Sequence, residues 1–169
     1  YGIPVYCAAE DHPMLTRPSA GLGAQMVPLI AQFLGRDALP AVDDLRGYEG
    51  VVELAGLRIE PIPAPGHTRG STLLRVGDGD DEVLFSGDVL FQGSIGRTDF
   101  PMGNHQDLIN AITHKLWPLG DDVRFVPGHG PMSSFGAERR SNPFVSDRAV
   151  AAMNAQGAAY HAPENHSPG

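Results

Sequence analysis

One arrangement recurs at three places in this chain and limits what it can fold into. A short apolar run is followed by glycine and then by a residue type that binds metals. The runs are residues 59–64 before Gly66-His67, residues 83–85 before Gly87-Asp88, and residues 123–126 before Gly128-His129. Each run has the length of a buried strand bounded by turn residues. Each glycine admits a positive φ or a close backbone approach where a branched side chain would clash. The arrangement predicts two imidazoles and one carboxylate presented on sharp turns. If the three strands are neighbours in one sheet, the three side chains converge on one point. Neutral imidazole together with carboxylate suits Zn²⁺, Fe²⁺ or Mn²⁺.

The rest of the chain reads as α/β, with strands alternating with helical stripes. Residues 1–8 read as a buried strand, and residues 25–34 as a helix with Pro28 in its first turn. Residues 35–48 read as a polar connection. Residues 51–54 and 57–62 form an expected hairpin around Ala55-Gly56, followed by a strand over 71–76 and a solvated acidic loop over 77–82. That hairpin region disfavours a purely parallel sheet. Leu108, Ile109, Ile112 and Leu116 make a helical stripe over residues 105–116. Shorter helical pieces are expected over 137–140 and 147–153. Residues 154–169 have little to pack and read as a disordered tail. The expected organisation is one folded domain over 1–147, then a short helix and tail over 148–169.

Composition removes several classes of function. The net charge is −8, and no cluster of Lys or Arg exceeds Arg139-Arg140, so no nucleic-acid partner is expected. Cys7 is the single cysteine, which excludes an internal disulfide framework and a cysteine-based zinc finger. A reducing, cytoplasmic setting is the simplest reading. No apolar run approaches the length needed to cross a membrane, and no membrane partner is expected. The chain starts at Tyr1 within an apparent strand, so its true N-terminus is expected elsewhere.

Five stretches, in order, resemble the metallo-β-lactamase-fold hydrolases, and within them the glyoxalase II-like (hydroxyacylglutathione hydrolase-like) branch. They are Pro65-Gly66-His67-Thr68-Arg69-Gly70-Ser71, Phe85-Ser86-Gly87-Asp88-Val89-Leu90-Phe91 and Gly93-Ser94-Ile95-Gly96-Arg97-Thr98-Asp99-Phe100-Pro101. Val126-Pro127-Gly128-His129-Gly130-Pro131 and Glu138-Arg139-Arg140-Ser141-Asn142-Pro143-Phe144 complete the set. The resemblance implies an αββα sandwich with a metal site at one edge of its two sheets. It implies that His67 ligates a first metal, that Asp88 bridges two, and that His129 ligates the second, with two Zn²⁺ in a complete site. It further implies a metal-bound water as nucleophile and a small-molecule thioester of a hydroxyacyl-thiol type as substrate. A divalent metal lowers the pKa of bound water from about 16 to about 7. No serine or cysteine stands in a convincing nucleophile setting.

The family's His-x-His-x-Asp-His run is absent from this sequence. On that ground the chain reads as N-terminally truncated, with three of the family's ligand positions. Asp11-His12 follows the first strand and lacks the preceding His-x-His, so it is not that motif. Arg69 stands where many relatives carry proline. Two rival readings remain open: a mononuclear iron persulfide dioxygenase of the same fold, and a non-catalytic fragment whose exposed first strand pairs or aggregates. The dioxygenase would have less use for His129.

Other residues take plainer readings. His12, His105, His114, His161 and His166 are expected on the surface, at the start of a helix, or in the tail. Arg97 and Asp99 are expected to form a local ion pair that fixes the loop after Asp88. Glu138, Arg139 and Arg140 read as surface or loop-pinning charges, and Phe144 as packing inward. Cys7 reads as a small buried hydrophobe. Thr68 and Ser71 are expected to hydrogen-bond within their own turn.

Overall fold

Short β-branched and aromatic runs separated by glycine turns build the central sheet. The computed structural model describes residues 3–35 and 39–160. Ten strands are found there: β1 (Val5–Tyr6), β2 (Leu45–Arg46), β3 (Val52–Leu54), β4 (Leu57–Pro63), β5 (Thr72–Val76), β6 (Val83–Gly87), β7 (Leu90–Phe91), β8 (Ser94–Ile95), β9 (Arg124–Pro127) and β10 (Ser133–Ser134). The helices are α1 (His12–Thr16), α2 (Ser19–Leu22), α3 (Val27–Leu34), α4 (His105–Ala111), α5 (Phe135–Ser141) and α6 (Asp147–Tyr160). No helix among the described residues is long and apolar enough to cross a membrane.

Six strands form the main sheet in the order β10-β9-β6-β5-β4-β3. Pairings are antiparallel except for β6 with β9, which is parallel. The chain is therefore mixed α/β, and the expected antiparallel hairpins are present. Two successive antiparallel pairings make β4 and β6 point the same way, and β9 follows β6. All three glycine turns thus leave the same edge of the sheet, although β5 separates β4 from β6. Convergence needed a shared direction, not adjacency.

Leu73, Leu84 and Phe125 project from one face of this sheet into the core. Leu108, Ile109 and Ile112 from the helical stripe, together with Trp117 and Phe135, close over them. The Phe135 ring lies tilted against Phe125 at 5.8 Å and meets Trp117 edge-on at 5.5 Å. The helix over 105–116 is interrupted. It is α-helical to Ala111, then runs through one π-helical stretch over Ile112–Leu116.

Four expectations shift. The first strand is short, and β1 pairs with β2 in a parallel ladder outside the main sheet, so it does not present a bare edge on both sides. β2 also lies within the stretch expected to be a polar connection. α6 continues to Tyr160, where seven residues of tail were expected to be disordered; alanines sustain its helix. Phe144 is 43% exposed and does not pack inward, because its backbone N–H is held by the Asn142 side chain in a tight turn. Tyr1, His161 and His166 lie outside the described residues.

Candidate metal centre

The first ligand turn follows β4. Gly66 has φ +139°, and a Cβ there would run into the backbone of Leu108. Glycine is thus required for the turn to lie against the N-terminal part of α4, where Asn104 N–H also donates to Gly66 O at 2.8 Å. The turn is tied internally, as expected: Thr68 N–H donates to Ser71 Oγ, and the two hydroxyls are 2.9 Å apart. An unexpected anchor comes from Asp11. Its carboxylate accepts from Thr68 Oγ1 at 2.6 Å and from Gly70 N–H at 2.9 Å. Its neighbour His12 is half-buried, not a surface residue, with Nε2 2.9 Å from Cys7 O. Cys7 is itself half-buried, and burial pushes its thiol pKa up, with the nearby Asp11 charge adding to it.

The second turn follows β6. The β6–β9 register skips Ser86 on the β6 side, a bulge at the strand end. Buried Ser86 donates to Leu90 O, and Gly128 N–H donates to Gly87 O at 2.8 Å. That last bond carries the pairing past the strand ends and draws the third turn against the second. A Cβ on Gly128 would strike the Asp88 carboxylate, so glycine there leaves room for it.

These constraints bring the three predicted side chains together. Asp88 Oδ2 is 3.8 Å from His67 Nε2 and 3.5 Å from His129 Nε2. His67 is mostly buried, Asp88 is one-third exposed, and His129 is open to solvent at 78%. The Phe91 ring lies 6.1 Å from the His129 ring. His67 Nδ1 is 2.8 Å from Arg97 O. A carbonyl only accepts, so Nδ1 carries the hydrogen and donates. In the neutral ring, Nε2 then offers its lone pair toward a carboxylate, which has no hydrogen to give.

That arrangement fits a cation. Both Nε2–Oδ2 separations are too long for hydrogen bonds. Two ligands at about 2.1 Å on one tetrahedral ion stand about 3.4 Å apart. A backbone carbonyl on the far ring nitrogen is the usual partner of a metal-binding histidine. The three are gathered without being closed: no group of three or more His, Cys, Asp or Glu among the described residues is already spaced to hold an ion.

The Metallo-beta-lactamase superfamily profile matches residues 1–129. The chain belongs to that superfamily. Superfamily relatives include an uncharacterized protein of Mycobacterium tuberculosis, 39% identical over 86% of this chain and 66% of its own length. A hydroxyacylglutathione hydrolase, GloC of Haemophilus influenzae, is 45% identical over 58% of this chain and 45% of its own. Among solved structures, the BLEG-1 B3 metallo-beta-lactamase shares 34% identity with a TM-score of 0.69, over 86% of this chain and 66% of that one. The chain therefore spans just under two thirds of the mycobacterial relatives it matches.

Other members of the site region were not foreseen. Arg97 and Asp99 form the expected ion pair, with both contacts at 2.7 Å, and Arg97 also lies over the Phe100 ring at 4.0 Å. The Arg97 backbone, however, is what holds His67, and a carbonyl leaves no trace in a sequence. Phe91 was visible only as part of a family stretch. Glu138 pins a loop as expected but is buried, not superficial. His105 opens α4, with Asn104 as its cap, and His105 and His114 are both exposed.

Proposed function

We propose that this chain is the metal-binding part of a hydrolase acting on small thioesters of the hydroxyacyl-thiol type. The single observation behind this reading is Asp88 Oδ2 facing two imidazole Nε2 atoms, one of which is locked by Arg97 O. His67, Asp88 and His129 would hold divalent ions, Zn²⁺ first, with Fe²⁺ or Mn²⁺ as rivals. Such an ion supplies a water of lowered pKa and polarises a carbonyl.

The chain's own residues do the remaining work. Arg97 O fixes the His67 tautomer so that Nε2 faces the site. The Gly128 turn seats His129 beside Asp88, and Phe91 gives that ring an apolar wall. In the reaction, water adds to the thioester carbonyl carbon, the C–S bond breaks with its electron pair leaving on sulfur, and a proton from the water goes to that thiolate, giving a carboxylic acid and a thiol. GloC's name supports the thioester; the BLEG-1 likeness makes a β-lactam the competing substrate.

Elemental mass spectrometry of the purified chain, followed by assays on a glutathione hydroxyacyl thioester, a persulfide and a β-lactam, tests the reading. Bound zinc with chelator-reversible thioester hydrolysis supports it. A single iron with oxygen uptake on the persulfide would replace it with the dioxygenase, and β-lactam cleavage alone would replace the substrate. A metal-free, inactive chain would leave the non-catalytic reading.

A further inference from the structure

Behind the candidate centre lies a buried polar pair that the proposed reaction does not use directly. Glu138 is 2% exposed and Asn142 is fully buried; they face each other one turn apart on α5 and its C-terminal cap. Glu138 Oε2 accepts from Gly93 N–H at 2.8 Å and from Asn142 Nδ2 at 2.9 Å. Its Oε1 accepts from Ser133 Oγ at 2.5 Å. Asn142 Nδ2 also donates to Ser94 O at 3.1 Å, with Phe91 O at 3.5 Å.

All the backbone atoms these two side chains reach in that direction belong to one small hairpin, β7–β8. Phe91, Gly93 and Ser94 are its end, its turn and its start of return. The hairpin is short, with two residues per strand, too few to hold its own register in water. Yet it joins the two halves of the metal centre. Asp88 lies two residues before it. Arg97 O, which holds His67 Nδ1, lies two residues after it. Phe91 on its first strand faces His129. Gly96 N–H donates to Val89 O at 3.2 Å, closing the base of the hairpin. A Cβ on Gly96 would strike the Asp88 carbonyl and crowd His67, so the base is packed without slack.

Burying a carboxylate and an amide is costly unless both are satisfied by hydrogen bonds. Here the bonds are directed, and apolar residues of similar volume would pack α5 but would leave the hairpin unregistered. We infer that Glu138 and Asn142 are positioning residues for the metal centre. They set the register of β7–β8, and so the place of Arg97 O and the tautomer and aim of His67. This rests on the proposed metal-binding role of His67 for its purpose, but not for its geometry.

The test separates the two. Nitrogen-resolved NMR of the imidazoles is recorded on the metal-free 169-residue chain, which needs neither metal nor substrate. Wild type should show His67 as the Nδ1–H tautomer. Asn142→Ala should turn that signal into an exchanging mixture of tautomers. Glu138→Gln should keep it, because the amide oxygen can take over the Oε2 position while Ser133 Oγ rotates to accept. Arg139→Ala, on the same helix but bonded to Asp121 and Asp147, should also keep it. Ser133→Ala removes one donor and leaves the core packing whole, so it serves as the milder variant should Asn142→Ala not fold. It should move the His67 signal in the same direction.

Zinc affinity, read by chelator competition, should fall about 10- to 100-fold in Asn142→Ala, the range for losing an outer partner of a metal ligand. A His67 signal unmoved in Asn142→Ala and Ser133→Ala, each shown to be folded, overturns the positioning role. A wild-type chain that shows the tautomer lock but takes no zinc overturns the metal reading and leaves the positioning role standing.

Discussion

His67 is held by the backbone of a residue thirty positions away, with its Nδ1 2.8 Å from the carbonyl of Arg97 and its Nε2 turned toward Asp88. The two histidines of the proposed centre are therefore unequal. His67 is oriented by a bond and mostly buried, whereas His129 is exposed and stands beside Asp88 with the Phe91 ring 6.1 Å from its own. His67→Ala should weaken zinc binding by more than about 100-fold, beyond the loss expected for an outer partner. His129→Ala should weaken it as well, yet change the urea midpoint by less than about 0.5 kcal/mol equivalent, as for other exposed positions. Chelator competition and urea unfolding on the two variants check this. Equal zinc affinity in wild type and His67→Ala would remove His67 from the centre.

A single methyl group should disturb the site without disturbing the fold. Gly128 is exposed, and an added Cβ would meet the end of the Asp88 side chain before any core atom. The carboxylate can swing away, and the Gly87 backbone at 3.2–3.3 Å need give only slightly, so Gly128→Ala should cost less stability than a clash with backbone at closer range. It should also push Oδ1 off its position and lower zinc affinity by about 10-fold, comparable to a lost outer contact. Gly96→Ala is the contrasting case. Its Cβ would meet backbone, the Asp88 carbonyl, which has no rotamer to escape through. That overpacking should cost about 1–3 kcal/mol in urea unfolding. A Gly128→Ala protein with wild-type zinc affinity would contradict the placement of Asp88.

The loop beyond β8 carries a pH signature. The Arg97 guanidinium, bonded to both Asp99 oxygens, and then a backbone hydrogen bond hold the Asp99 pKa down to about 2. In the unfolded chain a free aspartate titrates near about 3.9. A carboxylate whose folded pKa is depressed favours folding above its unfolded pKa and loses that contribution as pH falls through the folded one. The pair is therefore complete above about pH 4 and gone below about pH 2, within the limits of a fully exposed site. Carbon-detected NMR of the Asp99 carboxyl should give a midpoint near 2, and Arg97→Ala should return it to about 4. A midpoint that stays low in the variant would mean that Arg97 is not the cause.

Much of this was legible in the sequence because the relevant signals are local. The three glycine turns, the hairpin over β3 and β4, and the stripe of Leu108, Ile109 and Ile112 each depend on spacing within a few residues. The Arg97–Asp99 pair was legible for the same reason. What escaped depends on distant segments. Asp11 and Thr68 meet across fifty-seven positions, and Glu138 reaches Gly93 across forty-five. A charged residue in such a partnership looks like any surface charge until the fold buries it. The extent of α6 was missed for a different reason. Its alanines favour helix intrinsically, but with little apolar periodicity there was no stripe to read.

The hairpin turn between β3 and β4 contains a correctable defect. Ala55 has φ +53° and Gly56 φ +79°, and β3 and β4 are paired directly across them with Leu54 opposite Leu57. Two positive φ values in a two-residue loop make the primed turn that matches strand twist, for which Asn-Gly is preferred. Alanine in the left-handed region costs about 1–2 kcal/mol, because its Cβ crowds the carbonyl. Asparagine tolerates that region better, and the site is exposed, so no packing is lost. Ala55→Asn should therefore stabilise the chain by about 0.5–1 kcal/mol in urea unfolding, below the full strain because asparagine also pays part of it. Zinc binding should not change, since the turn lies at the opposite end of β4 from His67. Ala55→Pro supplies the opposite sign: a ring that fixes φ near −65° cannot adopt +53°, so the variant should be less stable than wild type. If Ala55→Asn proved destabilising, the strand register across this turn would be wrong, and with it the alignment that carries β4 to the ligand edge.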